Sequence, residues 1–339
     1  MRQESYGARV WRRFRRQKAA LAGLVVIVAL VFVALFADFI ASDEPILLHL
    51  DGVTYYFPNL RHVVALEGKD NRWLRENMTV DDWAVFPLFE RGPYSIPPLQ
   101  SLEGSLPLGP GPGHPLGTDS TGRDVLARLV HGTRVSLSVG LVAVGIYLLI
   151  GTALGLIGGY YGGATDEVIA RVTEIVMNFP LLFLLLALQG VLEKTSVVST
   201  MVVIGLTGWT GAARLVRAEV LRVRQLDYVV ASRALGASSP RVVLKHVLPN
   251  AVAPLFVTAT FGVASAILIE AALSFLGFGA PEPTASWGLL MTDGFQSILR
   301  PEAWPLVLLP GLAIFLTVTA FNLVGEGLRD AIDPKLHVG

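Results

Sequence analysis

The 339-residue chain contains no cysteine, and charged residues account for only 16% of it. The absence of cysteine excludes disulfides, thiolate metal sites and a cysteine nucleophile. The low charge content excludes an ordinary soluble domain, because hydrophobic residues reach 53% and the mean hydropathy is +0.57. This composition indicates an integral membrane protein.

The chain also lacks the usual sequence motifs of enzymes. Its one Gly-Lys pair, Gly68-Lys69, is followed by Asp70, and Val63 stands where a phosphate-binding loop has its first glycine. The six histidines show no metal-ligand spacing, and no Gly-x-Ser-x-Gly sequence occurs. We therefore expect no catalytic residue, metal site or cofactor site in this chain, and no enzyme activity of its own.

Positive charge is concentrated at the N-terminus. Residues 1–18 contain seven Lys or Arg against a single acid, Glu4, which is typical of a cytoplasmic tail. The apolar run at residues 19–39 is too long for a signal-peptide core, so we interpret it as an uncleaved first transmembrane helix.

Five further apolar stretches predict five more transmembrane helices. They are Val135–Gly158, Val168–Leu192, Val197–Val216, Ala251–Leu276 and Pro305–Leu328. Six spans place both termini in the cytoplasm, together with the loop between the fourth and fifth spans. That loop carries the basic residues this topology requires, namely Arg217, Arg222, Arg224, Arg233, Arg241 and Lys245.

Residues 40–117 predict an extracytoplasmic insert between the first two spans. Its middle is rich in aromatic side chains and favours a small folded unit with short strands, and residues 93–115 form a linker dense in proline and glycine. Ser120 or Thr121 then begins a helix that we expect to lie along the outer membrane surface. Residues 118–328 make up the core of five helices, and residues 329–339 a cytoplasmic tail.

Two features inside the spans concern helix packing. Gly151, Gly155 and Gly158 recur at i, i+4 and i+7, which predicts a face that another helix approaches closely. Pro180 removes the hydrogen bond to the carbonyl of Val176, which predicts a kink midway along the third span. This kink either shapes the wall of a conduit or is an ordinary proline of a membrane helix.

Glu270 lies well inside an apolar span, where an ionised carboxylate is costly. It faces a polar pathway or a second subunit, or it is protonated or hydrogen-bonded between helices, and both interpretations stay open. The candidates for a pathway or a subunit interface are Asn178, Phe179, Pro180, Glu270 and Phe275.

Residues 227–250 form a polar, basic segment between two apolar runs. Asp227 can cap a short helix from Tyr228 to Leu235, and Gly236 stands where a helix end favours left-handed backbone. Such a helix is too short to be stable alone in water, so we expect it to pack on a partner.

The residues that follow and line this short helix support the same interpretation. Ser239 and Pro240 predict the start of a second helix, which isolates the first. Tyr228, Ala231 and Leu235 share one face, with the spacing of anchors for a helix in a groove. The alternative is a connector that lies on the lipid headgroups.

The 227–250 segment resembles the cytoplasmic "EAA" signature of permease subunits in binding-protein-dependent ABC importers. Gly236 matches its glycine, Ala231 and Ser232 its Ala-Ala pair, and residues 248–250 its Leu-Pro end. Val230 stands at the acidic first position, which is a departure from the signature.

Three other stretches resemble C-type permeases of dipeptide and oligopeptide importers, so that the resemblance covers most of residues 114–339. They read HPLGTDSTGRDVLARLVHGTRVSL, LSFLGFG with PTASWG, and GEGLRDAIDP. The insert sequence SDEPILLHLDGVTYYFPNL is similar to the Yej-type branch, which is linked with oligopeptide and microcin C uptake.

The resemblance implies an all-α integral membrane protein with six transmembrane helices, one N-terminal helix plus a five-helix permease core, and a small extracytoplasmic insert. It implies a heteromeric peptide importer in the inner membrane of a bacterial or archaeal cell. The implied partners are a second permease subunit, two cytoplasmic ATPase subunits that bind ATP and Mg, an extracytoplasmic solute-binding protein, the peptide substrate and membrane lipid, with no nucleic acid.

The resemblance further implies that residues 227–236 form a coupling helix that docks on the ATPase. Its contact residues would be Asp227, Tyr228, Ala231, Ser232, Arg233, Leu235 and Gly236, with Arg233 offering donors to the ATPase surface. Nickel or another small solute is an alternative cargo within the same family. An ion-coupled secondary transporter is an alternative of another class, and it would leave the coupling segment unexplained.

Overall fold

The computed structural model describes residues 6–61, 63–96, 106–192 and 195–332. Three parts of the predicted organisation lie outside the described residues: 1–5 of the basic tail, 97–105 of the linker and 333–339 of the C-terminal tail.

The chain is mostly helical rather than all-α, because a small sheet interrupts the helices. Its first part contains α1 (Tyr6–Phe14), α2 (Lys18–Leu35), α3 (Ala37–Ile40), β1 (Leu47–Leu50), β2 (Val53–Tyr56), α4 (Asn71–Asn77) and β3 (Trp83–Val85). The rest contains α5 (Val125–Tyr161), α6 (Gly163–Asn178), α7 (Leu181–Val191), α8 (Val197–Val223), α9 (Asp227–Ala234), α10 (Ser239–Val242), a π-helical turn (Val243–Val247), α11 (Leu248–Ala251), α12 (Ala253–Phe275), α13 (Trp287–Gln296) and α14 (Trp304–Ile332).

These elements form two compact units, which are described separately. The first, called the core unit, consists of residues 1–27, 139–269 and 317–339. The second, called the insert unit, consists of residues 28–138 and 270–316.

Four helices in the described ranges are long and apolar enough to cross a membrane. They are Lys18–Leu35, Val125–Tyr161, Pro254–Phe275 and Pro301–Ile332. The pair α6 and α7 would count as a fifth, broken span. The predicted fourth span, Val197–Val216, lies within α8 and falls short of this criterion, so the count of six spans stays a prediction.

The apolar character of α8 is reduced because its interior carries threonine and glycine. Thr207 and Thr210 are buried, and the Thr207 hydroxyl donates to the carbonyl of Val203 in its own helix at 3.0 Å. Gly205 lies so close to Ile146 that an added Cβ would stand 2.6 Å from the Cβ of that residue. This helix is therefore surrounded by protein along much of its length.

The helix predicted to start at Ser120 or Thr121 starts later, at Val125, and is continuous with the second span. The carboxylate of Asp119 accepts hydrogen bonds from the backbone of Thr121 and Arg123, which holds this stretch in a turn. The helix begins instead after Asp124, whose side chain caps it by accepting from the N–H of Ala127 at 3.0 Å. From there α5 continues without interruption for 37 residues.

The predicted kink in the third span is a full break. α6 and α7 meet at an angle of 91°. Phe179 ends α6 by donating its N–H to the carbonyl of Val176 at 3.3 Å, so the acceptor freed by Pro180 has a partner. Pro180 occupies the position before the first residue of α7, where its missing N–H costs nothing.

The insert unit contains a three-stranded antiparallel sheet in the order β2-β1-β3. Leu48 and Leu50 on β1 point to one face and pack against the buried Leu66 and Leu74. On the other face His49 stacks on Trp83 with 6.0 Å between the ring centroids. The short strands predicted for this region are thus present.

An ionic cluster stabilises the turn before α5 in the same unit. Arg123 donates to Asp119 at 2.6 Å and to Glu282 at 2.5 Å, and Arg128 lies fully buried 3.4 Å from Asp119. Burial opposes the charge on Arg123, but Glu282 and Asp119 together raise its pKa. Burial also raises the pKa of Asp293, although Ser120 donates a hydrogen bond to it at 2.8 Å.

The glycine face predicted on the second span is confirmed at Gly151 and Gly155, whereas Gly158 faces Asp166 on α6 and Gly159 takes its place against α8. A Cβ added at Gly151 would lie 2.6 Å from the Cβ of Ala212, and one at Gly155 would lie 2.6 Å from the carbonyl oxygen of Ala213. Because no Cβ atom stands between them, α5 and α8 approach closely. Gly145, on the same helix, has open space around it.

We predict that Gly155→Ala destabilises the chain by about 1 to 3 kcal/mol, because the added methyl group overlaps the backbone of α8. Gly145→Ala is the matched control, since the same change there meets no atom within 4 Å. Thermal unfolding of the purified chain in detergent measures both. Equal midpoints for the two variants would contradict the close contact.

Candidate coupling segment

The short helix α9 begins one residue earlier than the sequence predicts. Leu226 occupies the N-cap position without a side-chain hydrogen bond, so Asp227 is not the cap. Asp227 is instead the first helical residue, where its negative charge interacts favourably with the free N–H groups of the helix start.

Gly236 ends this helix as predicted, with a left-handed φ of +81°. Its N–H donates to the carbonyl of Arg233 at 2.9 Å, and the N–H of Ala237 donates to the carbonyl of Ser232 at 3.1 Å. These bonds satisfy carbonyls that the helix end leaves free. The φ value explains the need for glycine, because no atom lies within 4 Å of an added Cβ.

Most of α9 lies on the surface of the chain. Val229 is fully buried and Ser232 is half-buried, so these two residues anchor the helix. The face predicted to meet a partner is exposed, with Tyr228 at 44% and Leu235 at 88% of their full accessibility. An exposed leucine at the tip of a short helix is an apolar contact point, and none of the described residues covers it.

The chain returns from α9 through a nearly continuous helical run, from α10 through the π-helical turn to α11. Ser238, not the predicted Ser239, stands at the N-cap, and Pro240 lies in the first turn. Val242 and Val247 are fully buried and fix this run to the unit. The amide of Asn250 donates to the Tyr228 hydroxyl at 3.2 Å, which joins the end of the run to α9.

The C-terminal end of α5 forms a platform under α9. The guanidinium of Arg233 lies over the ring of Tyr160 at 4.5 Å from its centroid, and Tyr160 is itself buried. Arg224, at the end of α8, donates to the carbonyls of Gly159 at 2.8 Å and Tyr160 at 3.4 Å. Arg233 therefore contacts its own chain while its side chain stays accessible to a partner.

A bidentate ion pair joins the neighbouring helices near this platform. Arg217 on α8 donates to the two carboxylate oxygens of Asp166 on α6 at 2.5 and 2.6 Å. Two parallel bonds fix both the distance and the orientation of the partners. The start of α6 is thus held against α8 ten residues before the coupling segment begins at Asp227.

The predicted pathway candidates occupy different environments. Asn178, Phe179 and Pro180 are exposed at the break between α6 and α7. Glu270 is fully buried in the insert unit, where Ser274 donates to it at 2.9 Å and Ser136 at 3.4 Å.

Ser286 is a third hydroxyl partner of this carboxylate. Phe275 is half-exposed and packs edge to face on Phe295 with 5.2 Å between the centroids. Glu270 and Phe275 belong to the insert unit and the residues at the break belong to the core unit, and all five keep their predicted roles as predictions.

The core unit also contains a groove of about 310 Å³ that the sequence does not reveal. It is mainly apolar and carries a few hydroxyl groups, and its lining includes Tyr147, Leu181, Thr207, Thr258, Phe261 and Ser265. Leu181 is the first residue of α7, directly after the break. Among the described residues, no group of three or more His, Asp or Glu side chains is arranged to hold a metal ion.

Two partners of the coupling helix escape sequence reasoning. In the sequence Tyr160 follows a run of glycine and apolar residues and resembles the end of a span. Asn250 is only the last residue of the 227–250 signature. Both act through contacts between residues far apart in the chain, which no local pattern signals.

Two family models match the chain. Residues 151–338 match "Binding-protein-dependent transport system inner membrane component", which covers the whole coupling segment. Residues 5–56 match "N-terminal TM domain of oligopeptide transport permease C".

Curated relatives align over nearly the whole chain. The oligopeptide transport system permease protein OppC of Bacillus subtilis is 36% identical over 96% of this chain and 88% of its own length. The di/tripeptide transport system permease protein DppC of Pseudomonas aeruginosa is 37% identical over 96% of this chain and 91% of its own. Among solved structures, one of the inward-facing MetNI methionine ABC transporter overlaps 61% of this chain and 96% of its own, with a TM-score of 0.47 and 20% identity.

We predict that Arg233→Gln loosens α9, because it removes a cation–π contact of about 0.5 to 1 kcal/mol. Hydrogen exchange of the purified chain should show amides of residues 230–235 exchanging about two- to fivefold faster. Arg233→Lys keeps the charge and should change exchange less.

The control for this prediction is Arg241→Gln, which removes an exposed arginine from α10. If Arg233→Gln and Arg241→Gln leave α9 with the same exchange rates, the Tyr160 platform does not hold the helix.

Proposed function

Since the chain belongs to the family of inner membrane components of binding-protein-dependent transport systems, we propose that it is the permease subunit of an ATP-driven peptide importer. It forms half of the translocation pathway and couples to cytoplasmic ATPases through residues 227–250. The observation that carries this proposal is the agreement with peptide permeases over 96% of the chain, together with an exposed α9 at the family's coupling position.

The family implies three kinds of partner: another permease, ATPase components and a substrate-binding component. For this chain we propose one second permease, two ATPase subunits and one extracytoplasmic solute-binding protein. ATP and Mg bind to the ATPase subunits, and both termini of the present chain lie in the cytoplasm, where its basic N-terminal residues favour retention.

The coupling geometry supports a lever mechanism. α9 presents Tyr228, Ala231 and Leu235 to the ATPase surface, and Arg233 adds guanidinium donors beside them. When two ATPases close on ATP, they move α9 as a rigid body, and its contact with the end of α5 and its short connection to α8 carry that movement into the unit. The pathway then opens outward to receive a peptide from the solute-binding protein.

The insert supports a finer placement of the cargo. Its sequence resembles that of the Yej-type branch, and we extend the proposal to oligopeptides on that basis. The folded sheet of the insert unit would lie on the extracytoplasmic side, next to the delivering protein.

The cargo is tested by uptake in cells with and without this chain. We expect loss of the chain to abolish ATP-dependent uptake of labelled oligopeptides and to leave nickel uptake unchanged. Retained peptide uptake with lost nickel uptake would move the chain to another branch of the family. Proton or sodium flux driven by substrate through this chain alone would overturn the importer itself.

The coupling role is tested at Gly236. Gly236→Val places a β-branched residue in left-handed backbone, a strain of about 1 to 2 kcal/mol that distorts the end of α9. We expect roughly a tenfold loss of peptide uptake while ATP hydrolysis by the assembled transporter continues. Transport and hydrolysis are measured together in proteoliposomes.

Gly236→Asn is the matched control, because asparagine tolerates left-handed backbone and should retain most uptake. Both variants must insert into the membrane at normal levels. Undiminished uptake by Gly236→Val at normal expression would remove this residue from the coupling mechanism.

A further inference from the structure

The N-terminal helix α1 is separated from the first apolar helix by a turn of three residues. α1 ends at Phe14 and α2 begins at Lys18. α2 is one of the helices apolar enough to cross a membrane, so its first residues lie where the hydrocarbon begins. α1 and the turn therefore lie at the level of the lipid headgroups.

One edge of α1 is committed to its own chain. Phe14 is buried against Ala20 and Ala331, and Val10 and Val324 complete this small core. Arg13 donates to the carbonyl of Ala331 at 3.5 Å, and Gln17 donates to Asp330 at 3.3 Å. These contacts hold α1 against the end of α14, so its orientation is fixed.

The remaining surface of α1 combines an exposed indole with exposed cations. Trp11 stacks on Phe14 with 5.8 Å between the centroids, and yet 49% of its surface is accessible. Arg9, Arg15 and Arg16 are exposed, and the guanidinium of Arg15 lies 5.9 Å from the Trp11 ring. Tryptophan beside arginine is the composition of helices that lie in a membrane interface.

The local charge is strongly positive. Residues 6–18 contain five arginines and one lysine, and no acidic residue occurs between Glu4 and Asp38. The nearby end of α14 contributes the exposed acids Glu326 and Asp330 and the exposed Arg329, which leaves a clear positive excess.

We propose that α1 and its turn bind the anionic headgroups of the surrounding bilayer. The cations at Arg9, Arg15 and Arg16 contact lipid phosphates, and Trp11 enters the boundary between headgroups and acyl chains. Val10 and Phe14 remain packed on α14 while the other side of α1 binds lipid. Anionic lipid therefore holds α1 in place against α14. This site is independent of the cargo and depends only on the chain being embedded in a membrane.

The absence of cysteine from the chain allows a direct test. Gly7→Cys adds a side chain with nothing within 4 Å, and it takes a single fluorescent label on α1. The labelled full-length chain is placed in nanodiscs of phosphatidylcholine alone or with phosphatidylglycerol. Phosphatidylglycerol should shift the emission to the blue and reduce quenching by acrylamide, and high salt should reverse both changes.

The contribution of the three cations is tested by neutralising them with Arg9→Gln/Arg15→Gln/Arg16→Gln in the same labelled chain. At about 1 kcal/mol, or about fivefold, per cation, the three changes should weaken the response to phosphatidylglycerol by about a hundredfold. The matched control is Arg61→Gln/Lys69→Gln/Arg72→Gln, which removes the same charge from the insert and should respond like the parent.

Three results would overturn the proposal. The label could report the same environment in both lipids, or the triple variant could respond as strongly as the insert control. The label could also become shielded only when an ATPase subunit is added, which would make these cations a protein-docking surface.

Discussion

The contact between α5 and α8 is the constraint on which the rest of the core unit depends. Between helices in lipid the hydrophobic effect supplies little attraction, so close packing must hold them together. A Cβ added at Gly151, Gly155 or Gly159 on α5 would lie less than 3 Å from the nearest atom of α8. The contact thus runs along the lower half of α5 to its end, and no larger residue fits at these positions.

This contact determines where the coupling segment lies. Because Gly159 meets Val220, the end of α8 is brought beside the end of α5, and Arg224 can reach the carbonyls there. α9 leaves α8 directly after this point and places Arg233 over Tyr160. Under the proposed coupling role, a push on α9 would reach this tightly packed pair of helices directly.

Helix ends and helix-packing faces are predictable from the sequence, whereas contacts between residues far apart in the chain are not. Gly236 was identified because left-handed backbone selects glycine, and the glycine face of α5 because its spacing matches the helix period. The prediction of Asp227 as a cap is wrong because an acidic residue suits both the cap and the first turn. The sequence does not single out Asp124 as the cap of α5, because Ser120 and Thr121 are equally good caps, and only the hydrogen bonds to Asp119 exclude them.

The same limit applies to the candidate pathway, and it suggests how the two kinds of candidate differ. The carboxyl group of Glu270 is hydrogen-bonded to Ser274 and Ser136 within the insert unit, so its own chain already compensates its burial. The break at Asn178–Pro180 is different, because irregular backbone at membrane depth is tolerated only against protein or water. Since these residues are exposed on this chain, we expect a second permease subunit or an aqueous pathway to cover them. The break, more than the buried carboxylate, is then where the two halves of a conduit would meet.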